Sequence, residues 1–212
     1  MRLNLTLFLL LLISLLLLLG CARTVTNTFT SGTVFNLSAE FSQTLNLVDN
    51  RYFLIITTNE AFSLPQYPRE LVEPGLPPKD KNISYDLYNY YQGWDAYVIS
   101  DNSGNFTLVK GPFRSSSEAY SSYTRISLER LNAANNKVSF SFRLDQAYGA
   151  AVPSRVYFDI VSVDKNNIIR DRIAPAGYSI QLIQGEQVSQ SERTNADIDA
   201  ALDLKQYLVK IE

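Results

Sequence analysis

The sequence predicts an all-β fold, an antiparallel β-sandwich of two sheets with about nine or ten strands. Three observations support this prediction. Several segments alternate apolar and polar residues, as half-buried strands do. One further segment is continuously apolar over most of the length of a strand and a second is similar but less pure, which indicates central strands covered on both faces. Turn-forming residues separate these segments at the spacing of hairpins.

In chain order, the alternating strands begin with residues 35–41, where Phe35, Leu37, Ala39 and Phe41 alternate with polar neighbours. The segment 138–145 alternates at every position, and residues 207–211 repeat the pattern near the end of the chain. The continuous run lies in Tyr52 to Thr58, and Tyr157 to Val163 is a similar run that Asp159 and Ser162 interrupt. We expect both to be central strands.

Four turns are expected to close hairpins, namely Asp49–Asn50 between a strand at 44–48 and the one at 51–58, Asp101–Asn105, Asn132–Lys137 and Asp164–Asn167. Helix is expected at one short segment at most, near the C-terminus, at Ala196 to Lys205. There Thr194 or Asn195 is a candidate N-cap and Asp197 falls in the first turn.

The first twenty residues have the features of an export signal. A short segment with Arg2 as its only charge precedes the run Leu7 to Leu19, which is interrupted only by Ser14. A run of this length suits the apolar region of a signal peptide and is shorter than the roughly 20 residues of a spanning helix. Residues 1–20 are therefore predicted to be a signal peptide.

Leu18-Leu19-Gly20-Cys21 ends this segment and resembles the lipobox of bacterial lipoproteins. Leu19 departs from the small residue usual at its position. The resemblance implies that Cys21 is acylated after cleavage, which would tether the chain to a membrane because two or more acyl chains anchor a protein stably. The alternatives are an uncleaved signal anchor and a plain secretory signal followed by a coincidental cysteine.

Residues 21–33 are predicted to be the lipidated cysteine with a polar tether, and residues 34–212 a single sandwich domain. Ala22 follows the cysteine. By resemblance to Gram-negative lipoproteins, the absence of Asp at this position favours the outer membrane of the cell envelope.

Composition excludes several classes of activity. The chain has a net charge of −2, which gives no electrostatic case for binding nucleic acid. It has no histidine and one cysteine, so Ser-His-Asp and Cys-His catalysis and His-ligated metal centres are excluded. No nucleotide-binding glycine loop is present, and no cofactor is predicted.

The segment 63–84 interrupts the hairpins with five of the eight prolines, so it is predicted to be a long loop. An aromatic cluster follows it. Its candidate ligand-binding residues are Tyr85, Tyr88, Tyr91, Trp94 and Tyr97. Such rings can stack on a sugar or hold a peptide. The alternative is that they pack the end of the sandwich and anchor the loop.

Two groups of side chains with oxygen atoms are candidate metal sites. Asp101, Ser103 and Asn105 have the spacing of a calcium loop but lack its later glycine and glutamate, and a hairpin turn explains them equally. Asp197, Asp199 and Asp203 gather negative charge that helix capping and solvation also explain. No metal site is predicted.

The order of several segments resembles that in the β-sandwiches of the DOMON and family 9 carbohydrate-binding-module type. These segments are residues 51–58, 94–101, 106–109 and 203–212, with the long insertion before residue 94. The resemblance implies a non-catalytic domain that binds a sugar or, in some members, haem. The absence of histidine and of an internal methionine disfavours haem.

The predicted function is that of a non-catalytic, membrane-anchored envelope lipoprotein that binds a glycan or another small ligand. The first alternative is a structural or assembly lipoprotein that binds an envelope protein through the proline-rich loop or an exposed sheet edge. The second is a hydrolase based on carboxylates.

Overall fold

The structure is a computed structural model that describes residues 33–60, 70–76, 91, 93–113, 120–129, 131, 135–173 and 178–212. The described chain forms two antiparallel sheets. The strands are β1 (Val34–Phe41), β2 (Arg51–Thr57), β3 (Ala96–Ser100), β4 (Phe106–Lys110), β5 (Thr124–Leu128), β6 (Lys137–Arg143), β7 (Arg155–Val163), β8 (Ile169–Arg172), β9 (Tyr178–Gln181), β10 (Gln187–Ser191) and β11 (Leu204–Ile211). The fold class is thus the predicted all-β sandwich.

The smaller sheet has the strand order β10-β11-β1-β6, and the larger has the order β5-β4-β3-β2-β7-β8, with β9 paired to the first half of β7. The main core lies between the two sheets. Alternation along β1 sends Phe35, Leu37, Ala39 and Phe41 into this core, where each is almost fully buried. The ring of Phe35 stacks on that of Phe142 with centroids 5.1 Å apart.

The two predicted central strands form β2 and β7 in the middle of the larger sheet, where the whole of β2 pairs with residues 157–163 of β7. One face of β2 contributes Leu54 and Ile56 to the main core. Its other face contributes Phe53 and Ile55 to a second apolar cluster on the outside of the sheet. The prediction of central strands covered on both faces is confirmed.

The predicted helix at Ala196 to Lys205 is not formed. Residues 195–203 make turns, and β11 begins at Leu204. Asp199 accepts a hydrogen bond from the backbone N–H of Ala201, the short-range bond by which Asp side chains favour turns over helix.

A short helix, α1 (Leu144–Tyr148), follows β6 instead. Its start is capped by Gln146, whose side chain accepts a hydrogen bond from the N–H of Arg143 at 2.8 Å. The burial of Leu144 continues the apolar side of β6, which explains why the alternation extended one residue past the strand.

The turn at Asn132–Lys137 was predicted to close a hairpin, and this was wrong, because β5 and β6 belong to different sheets. Residues 132–134 lie outside the described residues. The hairpins β3–β4 and β7–β8 are formed as predicted.

The ends of β1 define two poles of the sandwich. Val34 exchanges backbone hydrogen bonds with Glu212 at one pole, and Ser42, just after β1, donates to the carbonyl of Asp203 at the other. Eight residues of strand separate the poles by roughly 24 Å.

Cys21 and the lipobox residues lie outside the described residues. In the part of the chain that is described, no helix is both long enough and apolar enough to cross a membrane.

Candidate functional site

The aromatic cluster divides between described and undescribed residues. Tyr85 and Tyr88 lie outside the described residues. Tyr91, Trp94 and Tyr97 belong to the second apolar cluster, and each is at most 3% exposed. Trp94 meets the ring of Tyr91 edge-on at 4.8 Å and that of Tyr97 at 5.9 Å. The faces of these three rings therefore contact core neighbours, which is the packing interpretation of the sequence.

The hydroxyl groups of these rings hold part of the proline-rich segment against the sheet. Tyr91 donates to the carbonyl of Val72 at 2.6 Å, and Tyr97 donates to Oε2 of Glu73 at 2.7 Å. The same Glu73 oxygen lies 2.8 Å from Nη2 of Arg125 on β5. Residues 70–76 are thus fastened to the outside of the larger sheet.

A cleft lies at the pole marked by Ser42 and Asp203, far from Val34. Its volume is about 770 Å³. Three loops line it, at 46–50, 164–172 and 195–202. The carboxylates in its lining are Asp49, Asp164, Asp171, Asp197 and Asp199, the amides are Asn46, Asn50, Asn166 and Asn195, and the cations are Lys165, Arg170 and Arg172. We refer to this cleft as the polar cleft.

The loop 46–50 is fixed by its own side chains. Asn46 donates from Nδ2 to Asp49 at 3.0 Å and accepts from the N–H of Asp49 at 3.2 Å. The strand predicted at 44–48, and with it the hairpin to β2 through Asp49–Asn50, is not formed, because this loop makes a turn with local hydrogen bonds. Its last residue, Asn50, is only 4% exposed, and Nδ2 of Asn50 has no hydrogen-bond partner among the described residues.

A buried amide without a partner costs about 1–3 kcal/mol relative to a satisfied one. Asn50 lines the polar cleft, but its Nδ2 has almost no solvent-accessible surface and lies near enough to the hydroxyl of Tyr52 to limit the rise in the pKa of that group. A ligand oxygen therefore reaches this donor only if the loop 46–50 shifts.

The loop 164–168 is organised by Asp164. Its Oδ1 accepts from the N–H of Asn166 at 2.8 Å and from that of Ile168 at 3.0 Å, and Oδ2 lies 2.7 Å from Nη2 of Arg170. Partial burial alone would raise the pKa of Asp164, but the bonds from Ile168 and Arg170 outweigh it and lower the pKa. Asp164 is thus an ionised anchor of the loop.

The third wall is anchored on buried groups of the sandwich. Asp203 is 1% exposed and accepts from Ser42 Oγ and from the N–H of Asn195. The carbonyl of Ala201 accepts from Tyr52 Oη at 2.7 Å, and that of Leu202 accepts from Ser162 Oγ at 2.6 Å. Strands from both sheets therefore hold this wall in place.

At the base of the cleft, Asp171 accepts a hydrogen bond on Oδ2 from the N–H of Leu204 at 2.7 Å. Burial raises the pKa of Asp171, and the nearby charge of Asp203 adds to the rise. Arg172, which also lines the cleft, forms an ion pair with the buried Asp159.

The candidate metal ligands are placed as follows. Asp101 accepts from the N–H groups of Ser103 and Asn105, and also from Asn105 Nδ2, so its oxygens close the hairpin turn. Asp197 and Asp199 lie in the wall of the polar cleft and Asp203 lies behind it. Within the described residues, no three acidic side chains converge closely enough to hold a metal ion.

The chemistry of the polar cleft is that of hydrogen bonding to a polar, neutral or weakly charged ligand. It offers carboxylate and amide acceptors beside amide and cationic donors, and Ile169, Ile198 and Leu202 add small apolar surfaces. Sequence reasoning missed the cleft because each of its loops was interpreted as a separate turn or helix. The signal available was the repeated clustering of Asp and Asn in these three loops.

Comparison of the chain with protein-family models, curated proteins and solved structures finds no match.

Proposed function

We propose that this chain is a lipid-anchored protein of the bacterial cell envelope that binds a small polar ligand, of which a glycan is the favoured class, in the polar cleft. The mixed polar lining of this cleft carries the proposal, and the buried amide of Asn50 adds a donor within its wall. Sugar hydroxyl groups both donate and accept hydrogen bonds, which suits a lining that mixes carboxylates, amides and cations.

The position of the cleft supports the anchoring part of the proposal. A tether that ends at Thr33 enters the sandwich at the Val34 pole, and the polar cleft opens at the opposite pole. A ligand in the space beyond the membrane surface is then accessible to the cleft. The lipobox at Cys21 and the signal-like residues 1–20 supply the anchor in this proposal.

The binding test uses the lipidated protein in detergent on a glycan array, followed by titration with any glycan that is retained. We expect Asn50→Ala to weaken binding about tenfold, because one buried hydrogen bond to the ligand is lost. The matched control is Asn36→Ala. Nδ2 of Asn36 is also buried without a partner among the described residues, but Asn36 lies on β1, outside the cleft lining.

Three results would count against the proposal in different ways. Retention of no glycan would remove the favoured ligand class. Equal weakening by Asn36→Ala would remove the cleft as the site. Loss of binding only on substitution of Tyr85 or Tyr88 would return the site to the aromatic cluster.

The anchor is tested by mass spectrometry of the protein from its native cell. We expect an N-terminal Cys21 that carries acyl chains, and release of a Cys21→Ser variant from the membrane fraction. An intact leader or an unmodified thiol would remove the anchoring part and leave the binding part standing.

A further inference from the structure

The strand β10 lies at one edge of the smaller sheet, where its exposed and half-buried residues alternate. The hydrogen bonds at the two ends of the ladder between β10 and β11 show which residues of β10 bond to β11. Ile211 donates to the carbonyl of Glu186 at 2.9 Å, and Glu192 donates to that of Lys205 at 2.7 Å. Paired residues in an antiparallel ladder are hydrogen-bonded at every second position. Val188 and Gln190 therefore face β11.

The residues between them have the opposite orientation. The backbone N–H and C=O groups of Gln187, Ser189 and Ser191 point away from β11. Among the described strands, β11 is the only partner of β10. Three residues thus present six backbone groups along an open edge, which is a template for one more strand.

The edge of β10 also lacks the devices that usually block such pairing. Proteins protect edges with charged residues, proline, bulges or very short strands. The other edges have them, since β5 carries Arg125, β6 carries Lys137 and Arg143, β8 is mostly charged, and β9 has four residues. The sequence of β10, Gln-Val-Ser-Gln-Ser, has neither charge nor proline.

A groove continues from this edge over the outer face of the smaller sheet. Its volume is about 360 Å³, and it runs from Ser189 and Ser191 past Leu208 to Glu40 and Lys137. Leu208 on β11 is 40% exposed. The groove therefore gives a long side chain of an added strand an apolar contact.

The charges at the two ends of β10 indicate the kind of strand that fits. Glu186 precedes the strand and Glu192 follows it. Burial raises the pKa of Glu192, and Asp171 and Asp203 add to this by their negative charge. Lys205, across the ladder from Glu192, lies 3.9 Å from Glu40 on the next strand. Both ends of the edge thus favour a basic residue on the incoming segment.

The same charges disfavour a second copy of this chain as the occupant. Antiparallel pairing of two β10 strands about Ser189 sets Glu186 of one copy opposite Glu192 of the other, at both ends. Like charges directly opposite each other destabilise a strand pair.

We propose that the open edge of β10 binds an extended segment of another envelope protein by strand addition, with an uncharged centre over Gln187–Ser191 and basic residues near Glu186 and Glu192. Main-chain hydrogen bonds give such a contact its affinity, and alternate side chains give it specificity. This surface is separate from the polar cleft and does not depend on the ligand proposed there.

The test uses the full lipidated chain in detergent micelles and a synthetic peptide, acetyl-Lys-Thr-Val-Thr-Val-Thr-Lys-amide. Amide hydrogen exchange is followed residue by residue by NMR. Without peptide, we expect slow exchange at Val188 and Gln190 and fast exchange at Gln187, Ser189 and Ser191. With peptide, the latter three amides become protected as well.

Two pairs of variants make the test specific. Ser189→Pro removes an N–H that points away from β11 and is expected to weaken peptide binding about tenfold, whereas Ser189→Ala leaves it unchanged. The double variant Glu186→Lys, Glu192→Lys keeps the edge backbone. It is expected to lose preference for the lysine-flanked peptide and to gain preference for the same peptide with terminal glutamates.

The proposal is overturned if the peptide protects none of the three outward amides, or if it protects all five residues of β10 to the same degree, as binding on the face would. It is also overturned if these amides become protected with rising protein concentration alone, because a second copy would then be the occupant. Alternating protection that is lost in Ser189→Pro, together with a peptide preference that the charge reversal inverts, supports it.

Discussion

At the scale of single residues, Asp159 is a fully buried carboxyl group in the larger sheet. It shares a face of β7 with Val161 of the second apolar cluster and has no solvent exposure. Burial raises the pKa of Asp159 to about 7, and the guanidinium of Arg172, with Nη2 2.8 Å from Oδ2, limits this rise. The ordinary pKa of an Asp carboxyl is 3.8.

This difference predicts a pH dependence of stability. Between about pH 4 and 7 the folded state holds a proton on Asp159 that the unfolded state has released, so the free energy of unfolding falls as the pH rises. Asp159→Asn has no such proton. In urea unfolding from pH 4 to 8, the free energy of unfolding should therefore fall less for the variant than for the wild type. The difference should be about 1.4 kcal/mol for each unit by which the folded and unfolded pKa values of Asp159 differ.

A second carboxylate provides the control of opposite sign. The pKa of Asp164 is lowered, so its contribution to stability is present above the unfolded pKa and is lost as the pH falls through the folded pKa. The Asp164→Asn variant should therefore lack the part of the stability loss at acidic pH that comes from protonation of Asp164. Parallel profiles for wild type and Asp159→Asn would show that Asp159 titrates normally.

Trp94 decides between the two interpretations of the aromatic cluster. It is 1% exposed and contacts two other rings. Trp94→Ala is expected to cost about 3–5 kcal/mol and to lower the melting temperature by roughly 10 °C. Trp94→Phe should cost much less, since Nε1 of Trp94 has no partner among the described residues. An unchanged melting temperature in Trp94→Ala would instead support direct ligand contact.

At the scale of elements, the wall of the polar cleft at 195–203 depends on side chains of two strands. Tyr52 on β2 and Ser162 on β7 donate buried hydrogen bonds to the carbonyls of Ala201 and Leu202. Tyr52→Phe and Ser162→Ala each leave a buried carbonyl without this partner, which costs about 1–3 kcal/mol.

The expected consequence is local as well as global. Amides of residues 195–203 should exchange faster in both variants, while those of β3 and β4 should change only as much as the overall stability does. The measurement is hydrogen exchange at a fixed pH, with Ser139→Ala on β6 as a control at a distance from the cleft. Uniform acceleration along the chain would show that the wall is not a separate unit.

Elements also differ in how far the sequence determines them. Alternation in β1 and β11 follows from one buried face, so it was visible without the structure. In contrast, the segment 196–205 had a helical cap pattern, but its apolar residues Leu202 and Leu204 are needed in the core beside β11. Tertiary packing overrode a weak local preference.

At the scale of the whole molecule, the polar cleft depends on strand order, which local patterns do not encode. The turn at Asp164–Asn167 was predicted as a turn and is one. Its place beside the loops 46–50 and 195–202 follows from the pairing of β2 with β7 and from Ser42 donating to Asp203. Alternation shows that a strand has a buried face but does not show its neighbour. The sequence predicted that both faces of the central strands are covered, but it did not show that Tyr91, Trp94 and Tyr97 help to cover the outer face.

The two-pole arrangement gives a prediction for the anchored protein. If Cys21 carries the lipid, its thiol is consumed, so a cysteine introduced elsewhere is the only free thiol. Lys210→Cys lies near the Val34 pole, where Lys210 pairs with Asn36, and Lys165→Cys lies in the polar cleft. A fluorophore on each, in vesicles that contain a quenching lipid, should be quenched more strongly at residue 210. The poles are roughly 24 Å apart along β1. A lipid-bound quencher acts only on a fluorophore that lies close to it. Stronger quenching at residue 165 would place the cleft against the bilayer, and its ligand would then have to be sought among lipid headgroups.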